Sequence, residues 1–387
     1  MTSRSARRAR EREASGGRAR RREPDLNEVV SLYDFELLAA ESMDEAAFDY
    51  VAGGAEDEIT VADNEVAFQR RRLVPRVLVD VGQIDTSCRI LGREVAFPIG
   101  VAPVAAQGLA HPDAELATAR AAATAGALFC LSTVSSRSLE EVAAAVPAEA
   151  PRWFQLYMNE DAGFTRALVE RAEAAGYGAI ALTVDLPVLG YREREKRRGW
   201  TLDTRLGNFV GAEAAGDAET DGRVDLDRLL DTRHVANTWK GLEAIRSWSA
   251  LPLVIKGVLH PDDARLAVEH GAAAVVVSNH GGRQLDRAIP SLDALADVAE
   301  AVDGRAEVYL DGGVRRGSDA LIAIALGARA VFTGRPFVFG LGVAGQPGVE
   351  RAFAILREEL ERAMALLGTR TLADVRREHV RDAIIGP

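Results

Sequence analysis

The amino-acid sequence predicts an α/β fold: a (β/α)8 TIM barrel with an N-terminal helical segment and a long loop after the fourth strand. From residue 97 onward, eight short apolar segments alternate with segments of helical pattern. The apolar segments are rich in aliphatic and β-branched residues, which is typical of parallel strands buried on both faces. The chain has 387 residues, which is long enough for one such barrel with additions.

The eight predicted strands are short, and each ends beside a polar or small residue. They span 99–102, 128–131, 153–156, 179–184, 253–255, 274–277, 308–310 and 330–333. The predicted helices between them include 113–125, 161–175, 261–270, 291–302 and 317–326. A doubly wound sheet is the structural alternative, but the phosphate-binding fingerprint expected after its first strand is missing.

Two segments do not fit the strand–helix repeat. Residues 26–60 have a helical pattern, in which 44–52 is followed by the helix-stop signal Gly53-Gly54. Between the fourth and fifth strands lie about sixty polar, charged residues. A connection of this length in a compact domain usually has a function. We therefore predict that a loop of about 193–250 forms a lid over the barrel mouth.

Charge divides the chain into a basic start and an acidic remainder. Residues 1–22 contain nine arginines and two glutamates, a net charge of +7; the whole chain carries −11, so the remainder carries −18. Because the start has almost no apolar side chains to bury, residues 1–25 are predicted to be a disordered basic tail before a domain spanning 26–387. The tail could contact RNA or a membrane surface, but the acidic domain does not favour nucleic acid.

Several classes of protein are not favoured by the composition. No apolar run is long enough to cross a bilayer, and no apolar core follows the basic start as in a secretory signal. The two cysteines, Cys88 and Cys130, lie far apart without metal-ligand spacing. We therefore expect a reduced, cytoplasmic setting and no metal site.

The most informative motif is SNHGGRQLD, which spans residues 278–286 directly after the sixth predicted strand. It places His280 and Arg283 just past the C-terminal end of a core strand, where barrel enzymes carry their chemistry. Imidazole can accept a proton near neutral pH, and a guanidinium can bind a carboxylate with two parallel hydrogen bonds. The alternative is an ordinary strand-to-helix turn with a solvated arginine.

Polar or small residues also end the other predicted strands, and together they would converge on one mouth. These residues are Ala105, Ser132, Gln155, Tyr157, Thr183, Asp185, Lys256, Ser278, Asp311, Gly334 and Arg335. After the seventh and eighth strands, the segments 311–317 and 334–336 combine glycines with arginines, as phosphate-binding loops of barrels do. Two ordinary glycine turns with surface arginines are the alternative there.

From about Leu32 onward the chain closely resembles the FMN-dependent 2-hydroxy-acid oxidases and dehydrogenases, the family of glycolate, lactate and mandelate oxidases. Besides SNHGGRQLD, the resemblance is carried in family order by YVAGGAEDE, AHPDAELATARAA, WFQLY, ALTVDLP, LPLVIKGV, LDGGVRRG and GRPFVF. It implies a (β/α)8 barrel with FMN at its mouth, oxidation of an L-2-hydroxy acid to the 2-oxo acid, and a homo-oligomer, tetrameric or octameric.

The resemblance also implies roles for individual residues. His280 corresponds to the base that removes the substrate proton, Asp185 to the carboxylate that stabilises its protonated form, and Lys256 to the lysine beside flavin N1. The residues implied in substrate binding are Tyr50, Val134, Tyr157, Arg192 and Arg283, of which Tyr157 and Arg283 are also implied in catalysis. The residues implied in FMN binding are Pro103, Val104, Ala105, Ser132, Gln155, Thr183, Lys256, Ser278, Asp311, Gly312, Gly313, Arg315, Gly334 and Arg335.

The chain departs from the family pattern at one position. Glycolate oxidase-like members have a tryptophan after the Leu-Ser-Ser strand end, and Val134 stands there in this sequence. The smaller side chain leaves room beside the C2 substituent, which favours a larger acid, such as an aliphatic 2-hydroxy acid or a mandelate, over glycolate. The alternative is that another loop residue fills the space.

The electron acceptor remains open between several alternatives. Oxygen, reduced to H2O2, is the simplest acceptor, since no haem domain or membrane-anchoring insert accompanies the barrel. A soluble dehydrogenase with a quinone or protein acceptor, and a flavin enzyme that modifies a peptide or natural product, are the alternatives. A flavin-binding protein without turnover would need neither His280 and Asp185 nor the two arginines.

Overall fold

The computed structural model describes residues 24–159, 161–198, 205–210 and 238–383. The strands in chain order are β1 (Arg71–Leu73), β2 (Cys88–Ile90), β3 (Arg93–Val95), β4 (Ile99–Val101), β5 (Phe129–Leu131), β6 (Arg152–Leu156), β7 (Ile180–Thr183), β8 (Leu253–Val258), β9 (Ala274–Val277), β10 (Glu307–Asp311), β11 (Ala330–Thr333) and β12 (Val380–Asp382). Strands β4 to β11 are parallel, lie in chain order and close into a barrel in which β11 pairs with β4. The predicted (β/α)8 fold is confirmed.

The helices surround the barrel or precede it. They are α1 (Leu32–Ser42), α2 (Glu45–Ala52), α3 (Ile59–Gln69), α4 (Ala114–Ala125), α5 (Leu139–Ala144), α6 (Ala162–Ala174), α7 (Glu193–Arg197), α8 (Trp239–Trp248), α9 (Pro261–Glu269), α10 (Ser291–Val302), α11 (Gly317–Ala325) and α12 (Arg335–Leu367). Among the described elements, α12 is the longest, and it bends at Ala344 and Gly345, where the backbone leaves helical angles. It packs against α1, α4 and α11 and so joins the N-terminal helices to the barrel.

Aromatic side chains fill the barrel interior. Trp153 lies with its ring centroid 5.4 Å from Tyr309 and 5.6 Å from Phe332, and all three are buried. Ile90 and Val95, from the antiparallel hairpin of β2 and β3, belong to the same apolar cluster. Because the interior is packed as a core, ligand chemistry is confined to the end of the barrel where the parallel strands finish.

The long connection after β7 differs in part from its prediction. Within it, Trp239–Trp248 is a helix, with Leu242 and Ile245 buried, and it contacts α6. The predicted long connection therefore contains a helix near its end, and the apolar residues of this helix (Trp239, Leu242, Ile245 and Trp248) recur every three positions. Residues 199–204 and 211–237 lie outside the described part, as do residues 1–23 of the predicted tail, so the lid and the disordered tail stay predictions.

A search of the described residues for a helix of the length and apolarity that a bilayer crossing needs finds none.

Candidate active site

A cavity lies at the C-terminal ends of the barrel strands. The predicted site residues that line it are Tyr50, Pro103, Val104, Ala105, Ser132, Val134, Tyr157, Thr183, Arg192, Lys256, His280, Arg283, Asp311, Gly312, Gly313, Arg315, Gly334 and Arg335. Three further predicted residues, Gln155, Asp185 and Ser278, bond to residues of the lining but are not part of it. The structure therefore brings the predicted residues together at one place.

His280 and Asp185 form a close pair at the edge of this cavity. His280 Nδ1 lies 2.8 Å from Asp185 Oδ1, so the other ring nitrogen, Nε2, is the one available to a ligand. Burial lowers the pKa of His280, against the opposing effect of Asp185, so the imidazole is neutral at neutral pH. Burial favours a raised pKa for Asp185, but the charges of His280 and Lys256 outweigh it and lower this pKa, so the carboxylate stays ionised.

The backbone around His280 takes an unusual path. His280 has φ of 58°, and Gly281 and Gly282 follow at 63° and 75°, so three successive residues are in the left-handed region. The side chain of Asn279 accepts a hydrogen bond from the Gly282 amide and thereby supports this turn. Asn279 also exchanges two amide hydrogen bonds, of 2.9 and 2.8 Å, with Asn64 of α3. This pair ties the turn to the N-terminal helices.

Two arginines stand on the side of the cavity next to His280. Arg283 Nη1 donates to the backbone carbonyls of Tyr50, at 2.6 Å, and Gly53, at 2.9 Å, and its guanidinium lies 5.0 Å from the Tyr50 ring centroid. Arg192 is buried, and burial, with the charge of Arg283 next, lowers its pKa to about 10. Two adjacent positive charges with few anionic partners are suited to hold a carboxylate.

A buried lysine and a buried aspartate lie beneath the cavity. Lys256 Nζ is 3.2 Å from Asp311 Oδ2 and 3.1 Å from Ser278 Oγ. Burial would lower the lysine pKa, but the charges of Asp311 and Asp185 outweigh it, so the pKa is raised and the side chain stays cationic. A fixed positive charge is thus present at the floor of the cavity, where it can stabilise negative charge on a bound ring.

The glycine-rich segments after β10 and β11 also line the cavity. Gly312 and Gly313 have φ of 96° and 86°, and a Cβ on Gly313 would lie 2.2 Å from the Asn64 carbonyl oxygen, so only glycine fits there. Arg315 is paired with Glu65 at 3.1 Å. Burial, followed by the charges of Arg283 and Arg315, lowers the pKa of Arg335 to about 9. The negative charge of a bound phosphate would oppose this shift and stabilise the guanidinium.

Unmatched polar atoms provide a test of whether FMN fits this cavity. Gln155 Nε2, Thr183 Oγ1 and Asp311 Oδ1 are buried and have no hydrogen-bond partner among the described residues. Buried polar groups are normally paired, so these atoms are suited to the polar edge and ribityl chain of a flavin. All three belong to residues for which the sequence implies FMN contacts. The residues present therefore fit FMN.

Val134 is buried and lines the cavity, as the sequence predicts for a residue beside the substrate. It also lines a second, smaller cavity with Phe164 and Phe209. Phe209 belongs to the described piece 205–210 of the long connection, which is fastened by Asn208 hydrogen bonds to residues 133, 135 and 139. A loop residue therefore stands behind Val134, but it does not line the main cavity.

Some residues of the site were not identified from the sequence. The cavity lining that sequence reasoning missed is Val51, Ala102, Leu186, Gly281, Phe332 and Thr333. Asn64, Glu65 and Glu195 contact site residues from outside the barrel and were also missed. Gly281 could have been found within its motif, but the partners from distant helices carry no local signal. In the described part of the chain, no group of three metal-type side chains comes together.

The geometry defines the class to which the protein belongs. The cavity is cationic, has buried polar atoms without partners that suit a flat heterocycle, and has phosphate-type loops after the last two strands. These features are those of a flavin-mononucleotide oxidoreductase built on a (β/α)8 barrel. The profile of the FMN-dependent dehydrogenase family matches residues 39–382. The chain belongs to this family, and its cofactor is FMN.

Known proteins of this family are similar over nearly the whole chain. An L-lactate oxidase of Nostoc sp. is 49% identical over 355 residues, covering 90% of this chain and 97% of its own. A glycolate oxidase of Spinacia oleracea is 43% identical over 369 residues, with 93% and 98% covered. The structure of a mandelate oxidase with (S)-4-hydroxymandelic acid superposes with a TM-score of 0.84 at 42% identity, covering 92% of this chain and all of the other.

Proposed function

We propose that this protein oxidises L-2-hydroxy acids to 2-oxo acids and passes the electrons to O2, giving H2O2. The observation that carries the proposal is the His280–Asp185 pair, 2.8 Å apart, on the same cavity as Arg192 and Arg283. Removal of a proton from a hydroxy acid needs a base and a group that holds the carboxylate. His280 is suited to the first role, and the arginine pair is suited to the second. The similar proteins, named lactate, glycolate and mandelate oxidases, support the same chemistry.

In this proposal the arginines orient the substrate. Arg283 and Arg192 hold the carboxylate, and the side chains of Tyr50 and Tyr157 contact the substrate beside it. Burial raises the pKa of both tyrosines, so each phenol stays protonated and able to donate a hydrogen bond. Fixing the acid in this way lowers the barrier by positioning its C2 atom against the cofactor.

His280 then accepts the proton. Its lowered pKa keeps the imidazole neutral and ready to act as a base at neutral pH. Asp185 fixes the tautomer through Nδ1 and stabilises the imidazolium that forms. The residues that fit FMN would hold it at the cavity floor, where it would supply the capacity to accept two electrons from the substrate and pass them to O2. The buried cation of Lys256 stabilises the negative charge that develops beside it.

Val134 supports a preference for acids with a C2 substituent larger than that of glycolate. A valine leaves space at a position where glycolate oxidase-like members have a tryptophan, and apolar burial is worth about 0.8 kcal/mol per CH₂. We therefore propose aliphatic 2-hydroxy acids or mandelates as substrates.

A substrate panel tests the proposal. The purified protein, loaded with FMN, is mixed without oxygen with L-lactate, L-2-hydroxyisocaproate, (S)-mandelate and glycolate, and loss of the oxidised flavin absorbance is followed. Rapid bleaching by at least one acid, with H2O2 formed on admitting air, is expected. Bleaching that air reverses slowly, while a quinone reverses it fast, would make the protein a dehydrogenase. A flavin that no hydroxy acid bleaches would overturn the proposal.

Two further features of the protein belong to the proposal. We place it in the cytoplasm, which agrees with the free thiols of Cys88 and Cys130. We also propose a homo-oligomer, tetrameric or octameric, because the apolar side chains of Val77, Leu78 and Leu366 are largely exposed. Light scattering on the purified protein measures the mass, and a monomer would overturn that part.

A further inference from the structure

Glu195 places a carboxylate against both arginines of the anion site. Its Oε1 lies 3.4 Å from Arg283 Nη2 and 3.8 Å from Arg192 Nη1. The side chain of Glu195 is only 16% exposed, so water screens its charge poorly. One negative charge therefore acts on two positive charges at short range.

This carboxylate does not occupy the place of the substrate. Glu195 is not among the residues that line the cavity, whereas Arg192 and Arg283 are. Its carboxylate therefore contacts the two guanidinium groups from outside the cavity lining. A ligand carboxylate can thus bind to the arginines while Glu195 stays in place.

The position of Glu195 does not depend on its own ion pairs. Its helix, α7, is held to the N-terminal helices by its neighbour Arg194, which pairs with Glu58 and, at 3.7 Å, with Asp49. Arg198 adds a second pair to Asp49 at 2.6 Å. Removing only the charge of Glu195 should therefore leave the backbone of this segment unchanged.

We propose that Glu195 tunes the affinity of the arginine pair for carboxylate anions, weakening it enough for the product to leave. The inference rests on the proposed function, in which Arg192 and Arg283 bind the carboxylate. Substrate and 2-oxo product carry the same anionic group, so an unopposed pair of arginines would hold both tightly. A negative charge behind the pair lowers the attraction for both without touching the reacting atoms.

The test compares Glu195→Gln with a matched control on the same helix. The Gln variant keeps the size of the side chain and removes its charge. Glu193→Gln removes the same charge, but Glu193 pairs with Arg197, and in the described part of the chain it forms no ion pair with Arg192 or Arg283. Glu195→Asp restores the charge on a shorter side chain. Binding of pyruvate and benzoylformate to each FMN-loaded enzyme is titrated through the change in flavin absorbance.

The expected result is a Kd for the 2-oxo acid about tenfold lower in Glu195→Gln, the scale of one unit charge several Å away under partial screening. Glu193→Gln should match wild type, and Glu195→Asp should lie between. In steady state, Glu195→Gln should show a lower KM and stronger inhibition by product, with an unchanged rate constant of anaerobic flavin reduction. Added NaCl should reduce the difference in Kd between variant and wild type.

An equal or higher Kd in Glu195→Gln, with wild-type binding measurable, would overturn the tuning role. A higher Kd would mean that Glu195 instead holds Arg283 in place. Loss of flavin from Glu195→Gln, but not from Glu193→Gln, would likewise make it a structural residue. If wild type binds neither 2-oxo acid and no hydroxy acid reduces its flavin, the proposed function itself fails, which is a separate outcome.

Discussion

The two halves of the cavity are built from different parts of the chain. The flavin half comprises Lys256, residues 311–315 and residues 334–335, all at the ends of barrel strands or in the turns directly after them. The substrate half comprises Tyr50 and Arg192, from outside the strands, and the loop around Arg283. The first half lies on or directly after the barrel strands and is supported by a few distant contacts such as Arg315–Glu65, whereas the second is assembled from segments far apart in sequence. Substitutions in the substrate half should therefore change turnover while FMN stays bound.

The largest expected effect is on the base. His280→Gln should retain FMN but slow anaerobic flavin reduction by at least ~10²-fold, the usual scale for losing general-base catalysis. Stopped-flow absorbance with saturating substrate measures the rate. A near-normal rate would show that another group takes the proton. The assignment of proton transfer to His280 would then be wrong.

A substitution in the flavin half should instead weaken the binding of FMN. Arg335→Met removes a buried cation beside the phosphate-type loops and should raise the Kd of FMN by about 10- to 100-fold, since a hydrogen bond to a charged group contributes ~1.5–3 kcal/mol. Arg316→Met is the control, because Arg316 pairs with Glu359 and does not line the cavity. Titration of apoprotein with FMN gives both values, and equal Kd values for wild type and Arg335→Met would contradict the assignment.

Arg283→Lys tests the geometry of the substrate half. Lysine keeps the charge but cannot make a two-pronged contact with a carboxylate, so kcat/KM should fall by roughly tenfold, on the scale of one hydrogen bond to a charged group. Flavin content should stay at the wild-type level. Steady-state kinetics and the absorbance ratio of flavin to protein check the two expectations, and loss of flavin would place Arg283 in the flavin half as well.

A smaller effect is expected at Val134. Val134→Trp should lower the ratio of kcat/KM for mandelate over glycolate by a few-fold to tens-fold, because the larger side chain takes the space of the C2 substituent. Phe209 and Phe164 lie behind Val134 and limit how far a tryptophan can turn away. An unchanged ratio would show that position 134 does not set substrate size.

The smallest expected effect is on the pH dependence of kcat/KM. His280 must be neutral to act as a base, so kcat/KM should rise with pH through the pKa of this residue and then level off. Since burial lowers that pKa, the midpoint of the rise should lie below the ordinary imidazole value of about 6.5. Asp185→Asn removes a charge that raises the pKa, so the midpoint should move lower still. A midpoint above 6.5 in wild type would contradict the expectation.

The sequence predicts more of the flavin half than of its supports. All eight barrel strands were found within a few residues, because strand burial and strand-end polarity are local signals. The Asn64–Asn279 amide pair joins residues 215 positions apart, and no local sequence pattern predicts it. Glu195 was missed for the same reason. Its contacts with Arg192 and Arg283 exist only in the folded chain, so the sequence around Glu195 does not indicate them. The helix at 239–248 was missed because the whole connection was interpreted as one polar loop, although the apolar residues of this segment recur at helical spacing.

Among the described strands, β1 pairs only with β12, so residues 71–73 lie against residues 380–382. During synthesis on the ribosome, this pairing cannot form until residues 380–382 have been made. The first barrel strand, β4, likewise waits for β11 to close the barrel. A chain that ends before β11 therefore has no complete pocket in which to reduce oxygen. Under the proposed function, peroxide production begins only after β11 and residues 334–335 have been synthesised.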